Sequence, residues 1–160
     1  MKQVEGTTQA AARAWLESTH DLCYADLYDI ALPDGTVWHF TSADMPLVWA
    51  GQTYRSSGLV IKRGGLSTSM GLQVQTLQLT VTPDRDDTTM ADLVAALDYT
   101  TLRGARVTWR GWYGDSWQAA VFACVEFAGR VTSIEDDVAT SITCSSDLIL
   151  LDTRMPRKWA

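Results

Sequence analysis

Alternation of apolar and polar residues runs through most of this sequence, and it begins just after a short stretch of strong helix formers. Thr8 to His20 reads as that helix: Ala10, Ala11, Ala12, Ala14, Leu16 and Glu17 favour it, and Thr7 or Thr8 caps its start. A long strand follows, with Leu22, Tyr24, Tyr28, Ile30 and Leu32 in one phase. Asp26 falls in that same phase, which predicts a bulge or a partly open face there. Pro33-Asp34-Gly35 reads as a turn, because proline presets φ, aspartate bonds nearby backbone and glycine accepts positive φ. The strand from Thr36 to Thr41 completes a hairpin. A second hairpin is expected across Leu47-Val48-Trp49, Ala50-Gly51-Gln52 and Thr53-Tyr54-Arg55, then a short strand from Leu59 to Lys62 closed by Gly64-Gly65.

The clearest strand runs from Gly71 to Pro83. Leu72 and Val74 lie in one phase and Leu77, Leu79 and Val81 in the other, so a bulge or a crossing between two packing environments is predicted near Gln75-Thr76. Thr89-Met90-Ala91-Asp92 has the form of a capping box and opens a helix through Leu97. A hairpin pairs Arg106–Tyr113 with Trp117–Phe127 around Gly114-Asp115, and another pairs Arg130–Ile134 with Val138–Thr143 around Glu135-Asp136-Asp137. Ser145-Ser146-Asp147 caps a last helical turn through Leu151, and Pro156 stops it. Many short strands with few helices predict a mainly β fold, built as β-barrel or sandwich modules with two or three short helices. Residues 1–160 read as a single β-rich domain; a lobe boundary, if the chain has one, falls at Asp84-Arg85-Asp86-Asp87, giving lobes of about 1–83 and 84–160.

Composition narrows the class. With 46% hydrophobic and 20% charged residues, the chain is ordinary globular material rather than disordered, collagenous or coiled-coil. No apolar run approaches the ~18 residues of a membrane-spanning helix, and the start lacks the apolar core of a secretory signal. A soluble product made in the cytoplasm is the expectation. Net charge is −6, and because the last eight residues hold Arg154, Arg157 and Lys158 with no acid, residues 1–152 carry −9. Such a body repels phosphate backbones, so nucleic-acid specificity is not expected. Cys23, Cys124 and Cys144 are widely spaced and read as reduced, buried side chains rather than as metal ligands completed by another chain.

Catalytic patterns are weak. His20 and His39 lack the nucleophile context of a serine triad, and both read as structural. Asp84, Asp86 and Asp87 lack the glycine and closing glutamate of a calcium loop. Asp44, Glu126, Glu135 and Asp136 are not paired by any spacing that would place two carboxylates about a glycosidic bond. No P-loop, G-x-G-x-x-G or H-E-x-x-H is present. No catalytic, cofactor-binding or metal residue is therefore assigned, and an enzyme is not expected.

Interface chemistry is stronger. Arg103, Arg106, Arg110, Trp109, Trp112, Tyr113 and Trp117 interleave basic and aromatic groups, which reads as a half-buried hairpin whose exposed part can meet another protein. Trp15 and Trp159 lie near the termini, which favours burial against a partner, and residues 153–160 read as an extended docking arm. The candidate interface residues are Trp15, Trp112, Arg154, Arg157, Lys158 and Trp159.

The order LCYADLYDIALPDGTVWHFTSADMPLVWAGQTYRSSG resembles the N-terminal part of a tailed-phage family that includes the baseplate hub protein of gene transfer agents. The matching positions are Cys23, Asp34-Gly35, Phe40-Thr41 with Asp44, Gly51 with Tyr54, and Ser57-Gly58. Further matches are the strand at 71–82, the 102–107 segment, Gly129-Arg130-Val131, and 151–156, so the resemblance covers about residues 20–156. It implies a structural hub component of the tail tip, a homo-oligomer and by expectation a trimer, between the distal tail ring and the central fibre or spike proteins, with the tape measure also near. Where the family often has Asp-His, this chain has Ser42 and Ala43, which puts a polar or metal role there in doubt. Longer relatives continue into a Cys-rich region that can hold an iron–sulfur cluster; none is expected here, and such a cluster would sit on a neighbouring chain. Alternatives from other classes are a tail-tip cell-wall hydrolase and a module that grips a receptor or polysaccharide through the Trp109–Trp117 hairpin.

Overall fold

The computed structural model describes residues 3–19, 21–56, 59–67, 75–83, 102–136 and 140–146. The elements are β1 (Gln3–Glu5), α1 (Gln9–Ser18), β2 (Cys23–Ala31), β3 (Val37–Thr41), β4 (Leu47–Trp49), β5 (Gln52–Tyr54), β6 (Leu59–Ser67), β7 (Thr76–Pro83), β8 (Arg106–Ser116), β9 (Ala119–Asp136) and β10 (Thr140–Ser146). The fold is mainly β, as the alternation predicts. One helix is present among the described residues. The helix expected at 89–97 lies outside them, as does most of the turn expected at 145–151, and Ser145 and Ser146 themselves belong to β10.

The main sheet is antiparallel and runs β3-β2-β8-β9-β10-β7-β6, with β1 added beside β9. A small second sheet joins β4 to β5. The main core draws on both ends of the large sheet: Tyr28, Ile30 and Phe40 from β2 and β3 share one cluster with Leu77, Leu79 and Val81 from β7. Trp109, Phe127 and Ile142 fill the space between them. The sheet therefore curls on itself in a barrel-like manner. Arg63 on β6 marks the approach of the ends, since its guanidinium lies 4.2 Å from the Trp109 ring centroid and its Nε is 3.5 Å from Asp26 Oδ2.

Local chemistry accounts for the connections. Thr8 caps α1 by accepting from the Ala11 amide at 3.2 Å. The turn at 33–35 forms as expected: Asp34 Oδ1 accepts from the Thr36 amide at 2.8 Å, and Gly35 has φ +93°. Between β4 and β5, Ala50 and Gly51 both take positive φ (51° and 77°), the backbone that a two-residue hairpin loop needs.

Several features differ from the sequence reading. β6 continues through Gly64-Gly65 to Ser67, absorbing the two glycines as a register shift between Arg63 and Leu66. The β8–β9 hairpin turns at Trp117-Gln118, while Gly114 sits in register shifts inside the ladder. The segments expected as separate strands, 117–127 and 130–134, are one 18-residue strand, β9. It crosses from β8 to β10 at Gly129, where a Cβ would lie 2.2 Å from the Ser145 carbonyl oxygen, so only glycine fits. Finally, Asp26 makes no bulge: β2 pairs β8 from Cys23 to Ala31 without a shift. Its carboxylate is instead built into the interior.

Candidate functional site

Two carboxylates three residues apart on β2 organise different parts of the molecule. Asp26 is 9% exposed. Its Oδ1 accepts from Tyr24 Oη at 2.7 Å and from the indole Nε1 of Trp109 at 2.8 Å, and Tyr28 Oη reaches Oδ2 at 3.4 Å. The Asp26 amide donates to Ser42 Oγ at 2.9 Å, and the Ser42 amide donates back to the Asp26 carbonyl at 3.0 Å. Ser42 thus pins the loop after β3, and Ala43 is buried in a second core cluster with Ala25, Leu27, Leu47, Tyr54 and Trp112. Burial, reinforced by the charge of Asp26, raises the Tyr28 phenol well above its ordinary value.

Asp29 faces the other way. Cross-strand pairing sets His39 directly opposite, and His39 Nδ1 is 2.7 Å from Asp29 Oδ1. Arg110 on β8 bonds Asp29 Oδ2 through a terminal nitrogen and Glu5 Oε2 through Nε at 2.8 Å. Glu5 Oε2 also takes the Trp49 indole N–H at 3.4 Å. Burial acts to lower the Arg110 pKa, but Asp29 and then Glu5 outweigh it and the net shift is upward. Burial and then the charge of Asp29 raise the Tyr54 phenol. These groups line a cavity of about 530 Å³ together with Gly6, Ala50 and Gln52. The hairpin register that sets Asp29 across from His39 follows from the 33–35 turn, so this pair was within reach of sequence reasoning; Glu5 and Arg110 were not, since nothing local links them.

The aromatic end lies around the β8–β9 turn. Trp15 on α1 packs edge-on to Phe122 at 5.6 Å and donates from Nε1 to Asp115 Oδ1 at 3.0 Å. Trp112 is only 1% exposed, so this expected interface residue is core, packed against Ala25 and Leu27. Its ring stacks on Trp117 at 6.1 Å, and its indole N–H has no hydrogen-bond partner among the described residues. Trp109 is buried as well, leaving Trp117, 41% exposed, as the exposed tryptophan of the hairpin. With Met45, Pro46, Val48, Gln118 and Ala120, the two rings line an uncharged groove of about 210 Å³. Val48 is 63% exposed. Arg154, Arg157, Lys158 and Trp159 lie outside the described residues.

The cysteines do not assemble a metal centre. Cys23 and Cys124 are half-buried rather than core, Cys144 is buried, and none of the three is in a disulfide. They sit on three different strands, β2, β9 and β10. Among the described residues no group of three or more His, Cys, Asp or Glu could hold a metal ion, so these residues do not fit a Cys-ligated cluster. Burial pushes the Cys144 thiol up to about 12, so it is held protonated at neutral pH. Among the described residues no helix is long and apolar enough to cross a membrane.

Comparison with known proteins adds to this geometry. A family model described as baseplate hub protein, N-terminal attachment domain, matches residues 9–160. No curated protein matches the chain. Among solved structures, a chain from the virion of a native gene transfer agent particle superposes with a TM-score of 0.68 at 22% identity, over 93% of this chain and 48% of that one. The likeness is one of fold, and this chain spans about half the length of that neighbour.

Proposed function

Because the chain belongs to the baseplate hub protein N-terminal attachment domain family, we propose that it is a structural component of a phage-type tail tip. In this reading it links the distal tail ring to the central fibre or spike proteins, as a homo-oligomer, with a trimer the expected form. It is made in the bacterial cytoplasm, takes its place in the virion, and performs no chemistry. The observation that carries the reading is the family match over residues 9–160, joined to an exposed, uncharged groove at one end of an otherwise acidic molecule.

The physical argument is one of association. Two bodies of net charge −6 repel unless they meet where charge is absent. Met45, Val48 and Trp117 offer such a surface, and Trp is among the residue types that dominate interface energetics. Val48→Glu places a charge in the groove at a position 63% exposed, so the fold survives it. The reading predicts that tails carrying this variant stop at the distal ring under electron microscopy while the purified domain melts normally. Tails that complete with the Val48→Glu protein would remove the groove from the assembly. A serine or cysteine hydrolase is disfavoured because the residues lining the cavity with the Asp29–His39 pair include neither serine nor cysteine.

A further inference from the structure

The geometry points to a saccharide-binding site in the cavity beside β1, lined by Glu5, Asp29, His39, Trp49, Gln52 and Arg110. Its volume of about 530 Å³ suits a small ligand, since such sites span about 300–1,000 Å³. Charge decides the ligand class. Arg110 lies bonded between the two carboxylates, so these three groups together carry a single net negative charge. An incoming anion meets carboxylates, and an incoming cation meets carboxylates already engaged by a guanidinium. An uncharged polyol meets donors and acceptors side by side. Arg110 donates, the carboxylates accept, and the Gln52 amide does both, which is the pattern that sugar hydroxyls, each donor and acceptor, can use throughout.

Trp49 supplies the apolar wall. Its ring edge is packed on the backbone at Gly6, where a Cβ would stand 2.7 Å from the indole, and its N–H is bonded to Glu5. The indole is held in place from both ends, and an amphipathic ring of this kind packs against the C–H face of a pyranose. The surrounding polar groups are likewise fixed before any ligand arrives. Glu5, Asp29, Arg110 and His39 come from four strands and hold one another, so little side-chain freedom remains to be lost on binding. Glu5 also precedes the residues matched by the family model, so this wall is completed by a part of the chain outside that match.

The test is a nuclear magnetic resonance titration of the full chain with glucose, galactose and N-acetylglucosamine in turn. At least one sugar binds with a millimolar Kd and moves the Trp49 indole N–H and the Gln52 amide resonances. Gln52→Ala weakens binding by roughly tenfold, the loss of one good hydrogen bond. Gln52→Trp fills the cavity and abolishes binding. Gln52 is exposed, so both variants fold, and it alternates to the other side of β4–β5 from Val48, so both still assemble with the tail. Loss of sugar binding with assembly intact separates this site from the hub reading. The site is overturned if none of the three sugars moves the Trp49 resonance, or if Gln52→Trp leaves the affinity unchanged.

Discussion

Asp26 and Asp29 share one strand and one chemistry, yet the protein uses them in opposite ways. Asp26 points into the main core and is closed over by two phenols, an indole and the Arg63 guanidinium. Asp29 points to the far face, where Arg110, His39 and Tyr54 surround it at the wall of an open cavity. A buried carboxylate is tolerable only where donors replace water, and the first site does this with four donor residues around a carboxylate left 9% exposed. The second does it with an ion-pair chain that stays next to solvent. One is a structural post, and the other is a surface with chemistry to spare.

Removing Asp26 is the most severe way to break the contrast. Asp26→Ala strands the Trp109 indole N–H and the Tyr28 hydroxyl in the core, for a loss of about 3–5 kcal/mol in urea unfolding. Arg110→Met leaves Glu5 and Asp29 as neighbouring charges, but cavity water relieves them, so the expected loss is about 2–3 kcal/mol in the same measurement. If the second loss exceeds the first, the cavity side is the true post. Ala50→Gly, in the hairpin that roofs the cavity, should stabilise by about 1 kcal/mol or less, because Ala50 holds φ 51° that glycine takes without strain.

Alkaline titration sharpens the same picture at smaller amplitude. Burial raises the Cys144 thiol from 9.0 to about 12, and raises Tyr28 and Tyr54 above 10.0. The unfolded chain therefore releases these protons at lower pH than the native protein, and the native state binds more of them above pH 9. Stability should hold up to pH 9 and fall as pH rises toward 12. Chemical denaturation at a series of pH values reads this directly, and Cys144→Ala should shift the onset toward the phenol range near 10.0.

Period-two alternation made β2, β3 and the turn between them readable, because Tyr28, Ile30 and Leu32 face one core and Pro33-Asp34-Gly35 carries its own turn chemistry. The same rule misjudged Asp26, since alternation reports which face a residue takes and not whether donors wait there. Tyr24 and Tyr28 flank Asp26 on its own strand, but Trp109, 83 residues away, reaches it through the β2–β8 ladder, and Arg63 on β6 reaches it through the curl of the sheet. Trp112 shows the converse. It was expected at the surface as a hot-spot residue, but the β4–β5 hairpin covers that side of β2 and β8 and makes it core. Glycines misled where they looked like stops: Gly64, Gly114 and Gly129 all lie inside strands that pass through them. The polar cavity was invisible because Glu5 and Arg110, 105 residues apart, meet only after β1 docks on β9.

The most direct test of the assembly reading is light scattering on the purified chain, alone across a concentration series and mixed with the distal tail ring protein of the same particle. A closed oligomer, or a discrete complex with the ring that Val48→Glu dissolves, is the expected result. A strict monomer at every concentration, with or without the ring protein, would contradict it.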